Sequence, residues 1–366
     1  MRIISYIACD NLSIMERIIF RQLIIVIFLF VIYYRSEAQD CTIKLQHAQQ
    51  LFDSGQIEQI PSILDSCIQN GFLPEEKQKA YRLLIQVYLF DYDRSKADSL
   101  MLTFLKSYPT YKIQSSDPAE FSELFNLYKV SPSWGIGITL GNNFPFINVS
   151  EHFSTSSLNK LDSKYSPNAV NFMGGFIVDR YIRPKFWISG ELKYSFLKFQ
   201  KIEKFNDVKE TLTYKEKTSW VDIPVMLNYS FGHKKLLPYL FAGAEFGYLL
   251  TASSETRRSI ISDNQYPEII KPLSDIKNTR ENFNLWGTGG IGAHYAVQDG
   301  YFSFRAGFSY SLLSYVKPEL RYSDISQIQY NHYIDDNFKI NNLFFNISYS
   351  RLFYHIKKKA VDDSRN

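Results

Sequence analysis

Between residues 133 and 354, apolar side chains alternate with polar or small ones over runs of ten or more residues. From Phe302 to Leu312, every second residue is apolar, and the residues between are serine, arginine or glycine. A β-strand turns successive side chains to opposite faces, so each run has one apolar and one polar face. We count eight such runs, at about 133–141, 169–182, 186–200, 216–231, 237–252, 283–298, 300–317 and 338–354.

A sheet with one lipid-compatible face must close on itself, because an open edge in lipid would leave backbone groups without hydrogen-bond partners. Eight strands that alternate in this way are typical of a transmembrane β-barrel of the bacterial outer membrane. We therefore predict an α+β protein whose residues 131–355 form an eight-stranded antiparallel transmembrane barrel.

The connections between these runs alternate between short turns and long polar segments. The short turns lie near Arg183-Pro184, Gly232-His233 and Asp299-Gly300, and the long segments span 142–168, 253–282 and 318–337. In bacterial barrels the short turns face the periplasm and the long loops face outward. This orientation puts residues 39–130 and a tail over 356–366 in the periplasm.

An eight-stranded barrel is just wide enough for its own side chains to fill it. The polar faces of the strands predict a lumen network at similar heights, formed by Glu191, Lys193, Asp222, Glu245, His294 and Arg305. Opposite charges in a water-poor interior neutralise one another, which favours a plugged barrel. A proton or ion path along the same side chains is the alternative. Aromatic residues near strand ends, Trp134, Trp220 and Tyr354, are predicted to lie at the membrane interfaces.

The N-terminus has the layout of a secretory signal peptide over residues 1–38. Two arginines precede the apolar run 23–34, and small residues precede a cleavage site after Ala38. The run is shorter than the roughly 20 residues that a membrane-spanning helix needs. Met15 would begin a signal peptide of ordinary length, so we hypothesise that translation starts there; a precursor peptide containing Cys9 would contradict this start.

Residues 39–130 change to a helical period, with apolar positions that recur in five successive segments. The spacing of Tyr88, Ala97, Phe104 and Pro109 resembles one tetratricopeptide (TPR) unit, a helix pair in which a small alanine allows close approach. One unit matches, whereas a stable solenoid needs at least three. We predict a compact TPR-like module that either docks a partner or acts as a spacer.

Removal of the signal peptide leaves two cysteines, Cys41 and Cys67, both in the helical region. An even number of cysteines in an exported chain predicts a disulfide. A zinc site is disfavoured because no histidine or further cysteine lies at a ligand spacing from either one. The disulfide would staple the helical module.

The composition and motifs argue against nucleic-acid binding and catalysis. The net charge is only +4 over 366 residues, so no nucleic-acid partner is expected. Gly287 to Gly292 matches the spacing of a dinucleotide fingerprint, but the helix that this motif requires is not predicted after it. We predict a non-enzymatic protein with no cofactor and no metal. A lipid-modifying site in the outer segments is the alternative, built from His152, His332, Ser154 and Asp335.

Several strand motifs resemble a known family. They are Val221-Asp-Ile-Pro-Val-Met-Leu-Asn-Tyr, Leu237-Pro-Tyr-Leu-Phe-Ala-Gly-Ala-Glu-Phe-Gly-Tyr and Gly289-Gly290-Ile-Gly292. Together they resemble the PorT-like outer-membrane β-barrel family of Gram-negative bacteria. The stretches Phe72-Leu-Pro-Glu-Glu-Lys and Asp117-Pro-Ala-Glu-Phe are similar to an N-terminal extension in some members. The founding member is associated with protein export across the outer membrane, so the resemblance implies a barrel and allows a secretion role.

These features predict an outer-membrane barrel, in contact with lipid, that anchors a periplasmic helical module for docking a periplasmic or outer-membrane protein. The module would make the protein an accessory of a secretion or assembly system. Two alternatives use other parts of the barrel. One is a small-solute channel or uptake component that uses the lumen, and the other is a surface receptor or adhesin that acts through the long outer segments.

Overall fold

The computed structural model describes residues 40–69, 71–155, 161–167, 171–205, 210–231, 236–260, 268–297 and 299–359. The predicted signal peptide, the turn at Gly232-His233 and the tail from residue 360 lie outside the described residues. The chain divides into two compact units. One contains the residues up to Val130 and those from Ile356 onward, and the other runs from Ser131 to His355.

Among its described residues, the first unit contains five helices, which we call α1 (40–53), α2 (Ile60–Gln69), α3 (Pro74–Phe90), α4 (Arg94–Ser107) and α5 (Ala119–Asn126). Proline at the first position of α3 and two glutamates in its first turn suit the positive end of a helix. The side chain of Asp93 caps α4 by accepting the backbone N–H of Lys96 at 3.1 Å. None of the described helices combines the length and apolar character needed to cross a membrane.

The core of this unit forms where α3 and α4 pack together. Met101 and Phe104 on α4 are fully buried against Tyr81 and Ile85 on α3. The predicted tail starts inside this core, since Ile356 packs against the same cluster. The backbone N–H of Lys359 also donates to the carbonyl of Leu127 at 2.7 Å. Residues 356–359 therefore pack with the helical unit.

In the described part of the chain, ten strands follow: β1 (Tyr128–Glu151), β2 (Leu161–Pro167), β3 (Phe172–Arg183), β4 (Phe186–Phe205), β5 (Glu210–Ser230), β6 (Leu236–Ile260), β7 (Ile269–Asp275), β8 (Phe283–Val297), β9 (Gly300–Ser311) and β10 (Asn337–Lys358). A short helix, α6 (Ile325–Asn331), precedes the last strand. Eight strands close a ring in the order β1, β3, β4, β5, β6, β8, β9, β10 and back to β1. The predicted fold class, helices followed by an eight-stranded antiparallel barrel, is confirmed.

The outer face of the barrel is apolar, as lipid contact requires. On β1, Ile136, Ile138 and Leu140 are 52, 54 and 66% exposed. The barrel wall is also tightly packed, because a Cβ atom added to Gly137 would lie 2.0 Å from the carbonyl oxygen of Tyr349 on β10. Glycine at this position therefore allows the first and last strands to meet.

The strands extend beyond their predicted ends on the side away from the short turns. β4 continues to Phe205 and β6 to Ile260, and the additional strands β2 and β7 pair with them. Much of the segments predicted as polar loops at 142–168 and 253–282 is therefore sheet. Apolar alternation missed these extensions because their inward faces carry buried charges, including Lys201 at 0% exposure.

Candidate functional site

The barrel interior contains the predicted network of charged side chains. Lys193 Nζ lies 2.7 Å from Glu245 Oε1, and Arg305 lies 2.5 Å from Glu191 Oε1. Asp222 is opposite Lys193 in the register of β4 and β5. All five side chains are buried. The structure thus brings them together in two ion pairs with a third carboxyl group beside them.

His294, the sixth predicted member, lies in an aromatic layer nearer the short turns. Its ring is 4.0 Å from the ring centroid of Tyr301 and 4.9 Å from that of Trp187. The hydroxyl of Tyr301 donates to Asp179, a buried carboxylate that the predicted network did not include. The alternation of β3 contained the signal for Asp179, since it shares a face with Ile177 and Met173.

An apolar layer lies on the other side of the ion pairs. Trp220 and Trp286 meet edge to face at 5.5 Å, and Tyr315 and Phe338 pack against them. Trp220 was predicted at the membrane interface, but this is wrong because it is 1% exposed inside the barrel. The alternation of β5 could have shown this, because residues 220 and 222 lie on the same face of the strand and Asp222 was predicted to face the lumen.

The other two predicted interface residues have different surroundings. Trp134 is 45% exposed, and the guanidinium of Arg180 lies 4.6 Å from its ring centroid. Tyr354 is partly exposed near the end of β10. Trp134 and Arg180 form an outward-facing cation–π pair of the kind that suits a membrane boundary.

Beyond the tryptophan layer, Arg280 is buried among acids and phenols. It pairs with Glu216 at 2.9 Å and with Asp335 at 2.8 Å, and Tyr315 donates to Glu216 at 2.7 Å. Burial alone would raise the pKa of Asp335, but Arg280 and the hydroxyl of Tyr333 hold that pKa below its ordinary value. Sequence reasoning missed this cluster because its members come from strand β5 and from three separate loops.

A second charged cluster contains Lys201, whose Nζ lies 2.6 Å from Asp336 Oδ2. His152 Nδ1 lies 3.6 Å from the same oxygen, whereas His332 Nδ1 lies 3.4 Å from Glu210 Oε1. Asp335 pairs with Arg280 instead. The histidines and acid considered for a lipid-modifying site therefore belong to separate clusters in the structure.

The glycine-rich segment from Gly287 to Gly292 lies within strand β8. A Cβ atom at Gly290 would lie 2.2 Å from the carbonyl oxygen of Ala306 on β9. The glycines thus allow strands to pack, and the strand–turn–helix context of a dinucleotide site is not formed here. Over the ranges that the structure describes, no three Asp, Glu, His or Cys side chains group as a metal site.

In the helical unit, the structure joins Cys41 and Cys67 by a disulfide, with 5.6 Å between their Cα atoms. Of the TPR-like positions, Ala97 and Phe104 are fully buried between the helices. Tyr88 packs at the edge of the same core, and Pro109 lies just after α4, partly exposed.

The turn between α3 and α4 exposes two aromatic side chains. Phe90 is 53% exposed and Tyr92 is 95% exposed. Tyr92 also has φ of 58°, in the left-handed region that a non-glycine residue rarely adopts. The ring of Phe90 packs against the ring of Phe52, with 5.7 Å between the ring centroids. The sequence signal for this surface was an aromatic residue in the turn where a glycine or asparagine is common.

The family described as "Outer membrane protein beta-barrel domain" matches residues 121–351. No curated protein matches the sequence.

Similar solved structures include OprG from Pseudomonas aeruginosa, with 11% identity and a TM-score of 0.31 over 63% of this chain and 99% of that one. Ail of Yersinia pestis has 10% identity and a TM-score of 0.26, over 60% of this chain and 99% of that one. Neisserial surface protein A has 13% identity and a TM-score of 0.24, over 60% of this chain and 98% of that one.

Proposed function

The chain belongs to the outer membrane protein beta-barrel domain family, and on this premise we propose that its barrel is a closed anchor for a periplasmic helical docking module. Membership of the family confirms the predicted location in the cell outer membrane. The anchor and docking roles, and the periplasmic place of the helical unit, are the proposal.

The observation that carries the anchor role is the filled barrel interior. Two buried ion pairs occupy its middle, with aromatic layers on both sides of them. Because these buried charges already neutralise each other, an ion that entered the lumen would lose its hydration shell without gaining a free charged partner. These layers favour an anchor over the alternative of a small-solute channel.

The direction of the barrel supports a periplasmic helical unit. Near the end of β10, Arg351 is opposite Gly300, the first residue of β9 after the short β8–β9 turn. At the start of β1, Trp134 is opposite Arg180, three residues before β3 ends. The chain therefore enters and leaves the barrel at the short-turn end, which faces the periplasm in bacterial barrels.

The docking role is supported by the exposed turn between α3 and α4. Aromatic side chains contribute much of the affinity at protein interfaces. Phe90 and Tyr92 present two such side chains. The ring of Phe90 packs against Phe52, and Tyr92 has a left-handed backbone conformation. The PorT-like resemblance supports a secretion or assembly component as the partner.

The test is affinity purification of the cross-linked full-length protein from native outer membranes. It compares the unchanged chain, a chain lacking residues 41–130, and the double variant Phe90→Ser/Tyr92→Gly. The matched control is Ile43→Ser/Leu73→Ser, which removes two exposed apolar side chains from elsewhere on the same unit. We expect the partner to be lost with the deletion and reduced at least tenfold by the double variant, as for interface hot spots.

The control should retain the partner at the level of the unchanged chain. Recovery of the same partners by the chain that lacks residues 41–130 would overturn the docking role. Equal losses in the double variant and the control would assign binding to the unit but not to this turn.

A further inference from the structure

Two arginines interrupt the apolar, lipid-facing wall of the barrel near its short-turn end. On β3, Arg180 is exposed between Val178 and Ile182, which are 40 and 55% exposed. On β10, Arg351 is exposed two residues before Phe353, which is 47% exposed. Residues two apart on a strand share a face, so both arginines lie on the lipid-facing side. At the same end, lipid-facing positions on the other strands of the ring are apolar or aromatic, namely Ile188, Tyr229, Leu240, Tyr295 and Phe302.

The two arginines lie on either side of strand β1. Arg180 is opposite Trp134 in the register of β1 and β3. A Cβ atom added to Gly137 on β1 would lie 2.7 Å from the Cα of Ser350 on β10. The next residue of β10, Arg351, is therefore opposite the residue before Gly137. From the strand spacing and the rise per residue, the two arginine Cα atoms are about 12 Å apart, so their long side chains can reach one lipid headgroup.

Both guanidinium groups have accessible donors that the protein does not use. Within the described chain, neither arginine pairs with a carboxylate, and the side chain of Arg351 makes no hydrogen bond. Arg180 donates there through Nη1, to the carbonyl oxygen of Ser133 at 3.3 Å and to its Oγ at 2.7 Å. A guanidinium carries five N–H donors, so Nε and Nη2 of Arg180 are available to a ligand. The ring of Trp134, 4.6 Å from the guanidinium, holds this side chain against the barrel wall.

A shallow apolar groove of about 480 Å³ lies on the same wall, further from the short-turn end. It crosses β1, β10, β9 and β8, and its lining includes Leu140, Ala306 and Ile347. Ile347 precedes Arg351 by four residues, which is about 14 Å along β10. The groove therefore begins within the length of a lipid tail from the arginine pair.

The order of these features matches the parts of a phospholipid. Arginine binds phosphate through charge-assisted hydrogen bonds, and an acyl chain is the apolar partner that a membrane supplies to a groove. A second copy of the chain, packed through the same face, would bring arginines of like charge together.

We propose that Arg180 and Arg351 bind the phosphate of an anionic phospholipid, whose acyl chain lies in the groove on β1, β10, β9 and β8. The site belongs to the barrel wall, so its test does not depend on the docking role of the helical unit.

Tryptophan fluorescence of the full-length protein in phosphatidylcholine vesicles tests the site. Trp134 reports on it because the other three tryptophans, at positions 187, 220 and 286, are at most 2% exposed inside the barrel. The quenchers are brominated phosphatidylglycerol, which is anionic, and brominated phosphatidylcholine, which has a phosphate but no net charge. We expect phosphatidylglycerol to bind at least fivefold more tightly, and Trp134→Phe to remove most of the quenching by either lipid.

Variants and a competitor locate the binding. Arg180→Gln/Arg351→Gln should reduce the preference to less than twofold, and Ala306→Phe, which fills the groove, should reduce it at least twofold. The matched control Lys215→Gln/Arg257→Gln removes two exposed cations from the other end of the barrel and should keep the preference. Inorganic phosphate at matched ionic strength should not displace the lipid.

Equal quenching by the two lipids in the unchanged protein would overturn the proposal. A preference that survives the arginine double variant or Ala306→Phe, or one that the control variant also loses, would overturn it as well. Displacement by inorganic phosphate would assign the arginines to a free anion and contradict the lipid site.

Discussion

The interior of this barrel contains buried ion pairs, and either charge alone would destabilise the folded protein. Arg305 and Glu191 are almost completely buried, and each neutralises the other. Replacing one member leaves the other charge buried without a partner. Replacing both with apolar side chains of similar size leaves no buried charge unpaired.

We predict that Arg305→Met destabilises the barrel by about 3–5 kcal/mol, because Glu191 is then buried without its partner. The double variant Arg305→Met/Glu191→Leu should recover most of this loss. Urea unfolding of the protein in lipid vesicles measures both changes. Equal destabilisation in the single and double variants would contradict a paired role.

Tyr92 carries a prediction in which stability and binding change in opposite directions. Its left-handed backbone conformation costs a non-glycine residue about 1–2 kcal/mol, and the side chain is 95% exposed. Tyr92→Gly should therefore stabilise the helical unit by about 1 kcal/mol while it weakens partner binding. Hydrogen exchange of the full-length protein measures the first effect, and the purification described above measures the second. A stabilised unit that binds its partner as before would separate Tyr92 from docking.

At the scale of elements, Asp117 fixes the chain just before α5. It accepts the backbone N–H of Gln114 at 2.7 Å and the hydroxyl of Tyr111 at 2.7 Å, and it pairs with Arg82. Burial acts to raise its pKa, but these partners hold the pKa below its ordinary value of 3.8. The carboxylate therefore stabilises α5 fully above the unfolded pKa, and this contribution is lost as the pH falls through the folded pKa.

We predict that the stability of the helical unit falls below about pH 4 and that Asp117→Asn reduces this dependence. The variant should be less stable than the unchanged protein at pH 7, and the two should converge in acid. Thermal unfolding of the full-length protein between pH 2.5 and pH 7, followed at the helical unit, makes the comparison. A constant difference across this range would contradict the assignment.

The elements also show where sequence reasoning succeeds. In strand β9 and in residues 345–350 of β10, apolar and polar residues alternate cleanly, so the position and facing of these residues were predictable from period two alone. The outer extensions of β4 and β5 were not predictable, because Lys201 and Glu210 are charged and yet buried there, so a polar residue no longer indicates an exposed position. The Arg280 cluster was hidden for a related reason: its members are far apart in sequence and become neighbours only when the ring closes.

For the whole molecule, a barrel filled along its length should not conduct. Ion pairs and aromatic layers occupy successive levels of the lumen. We predict no single-channel steps from the reconstituted full-length protein in planar bilayers. Arg305→Met should also remain silent, because the Trp220 layer is intact in that variant. Regular conductance steps from the unchanged protein would favour the channel alternative.

The central claim, that the barrel carries a helical module for docking in the periplasm, is tested most directly by photo-cross-linking in intact cells. A photoreactive amino acid is placed at Tyr92, and separately at Ile43 as an exposed control in the same unit. The account predicts a discrete cross-linked adduct with one periplasmic or outer-membrane protein from position 92 and little or none from position 43. Absence of an adduct at position 92, in cells where the protein is correctly inserted, would contradict it.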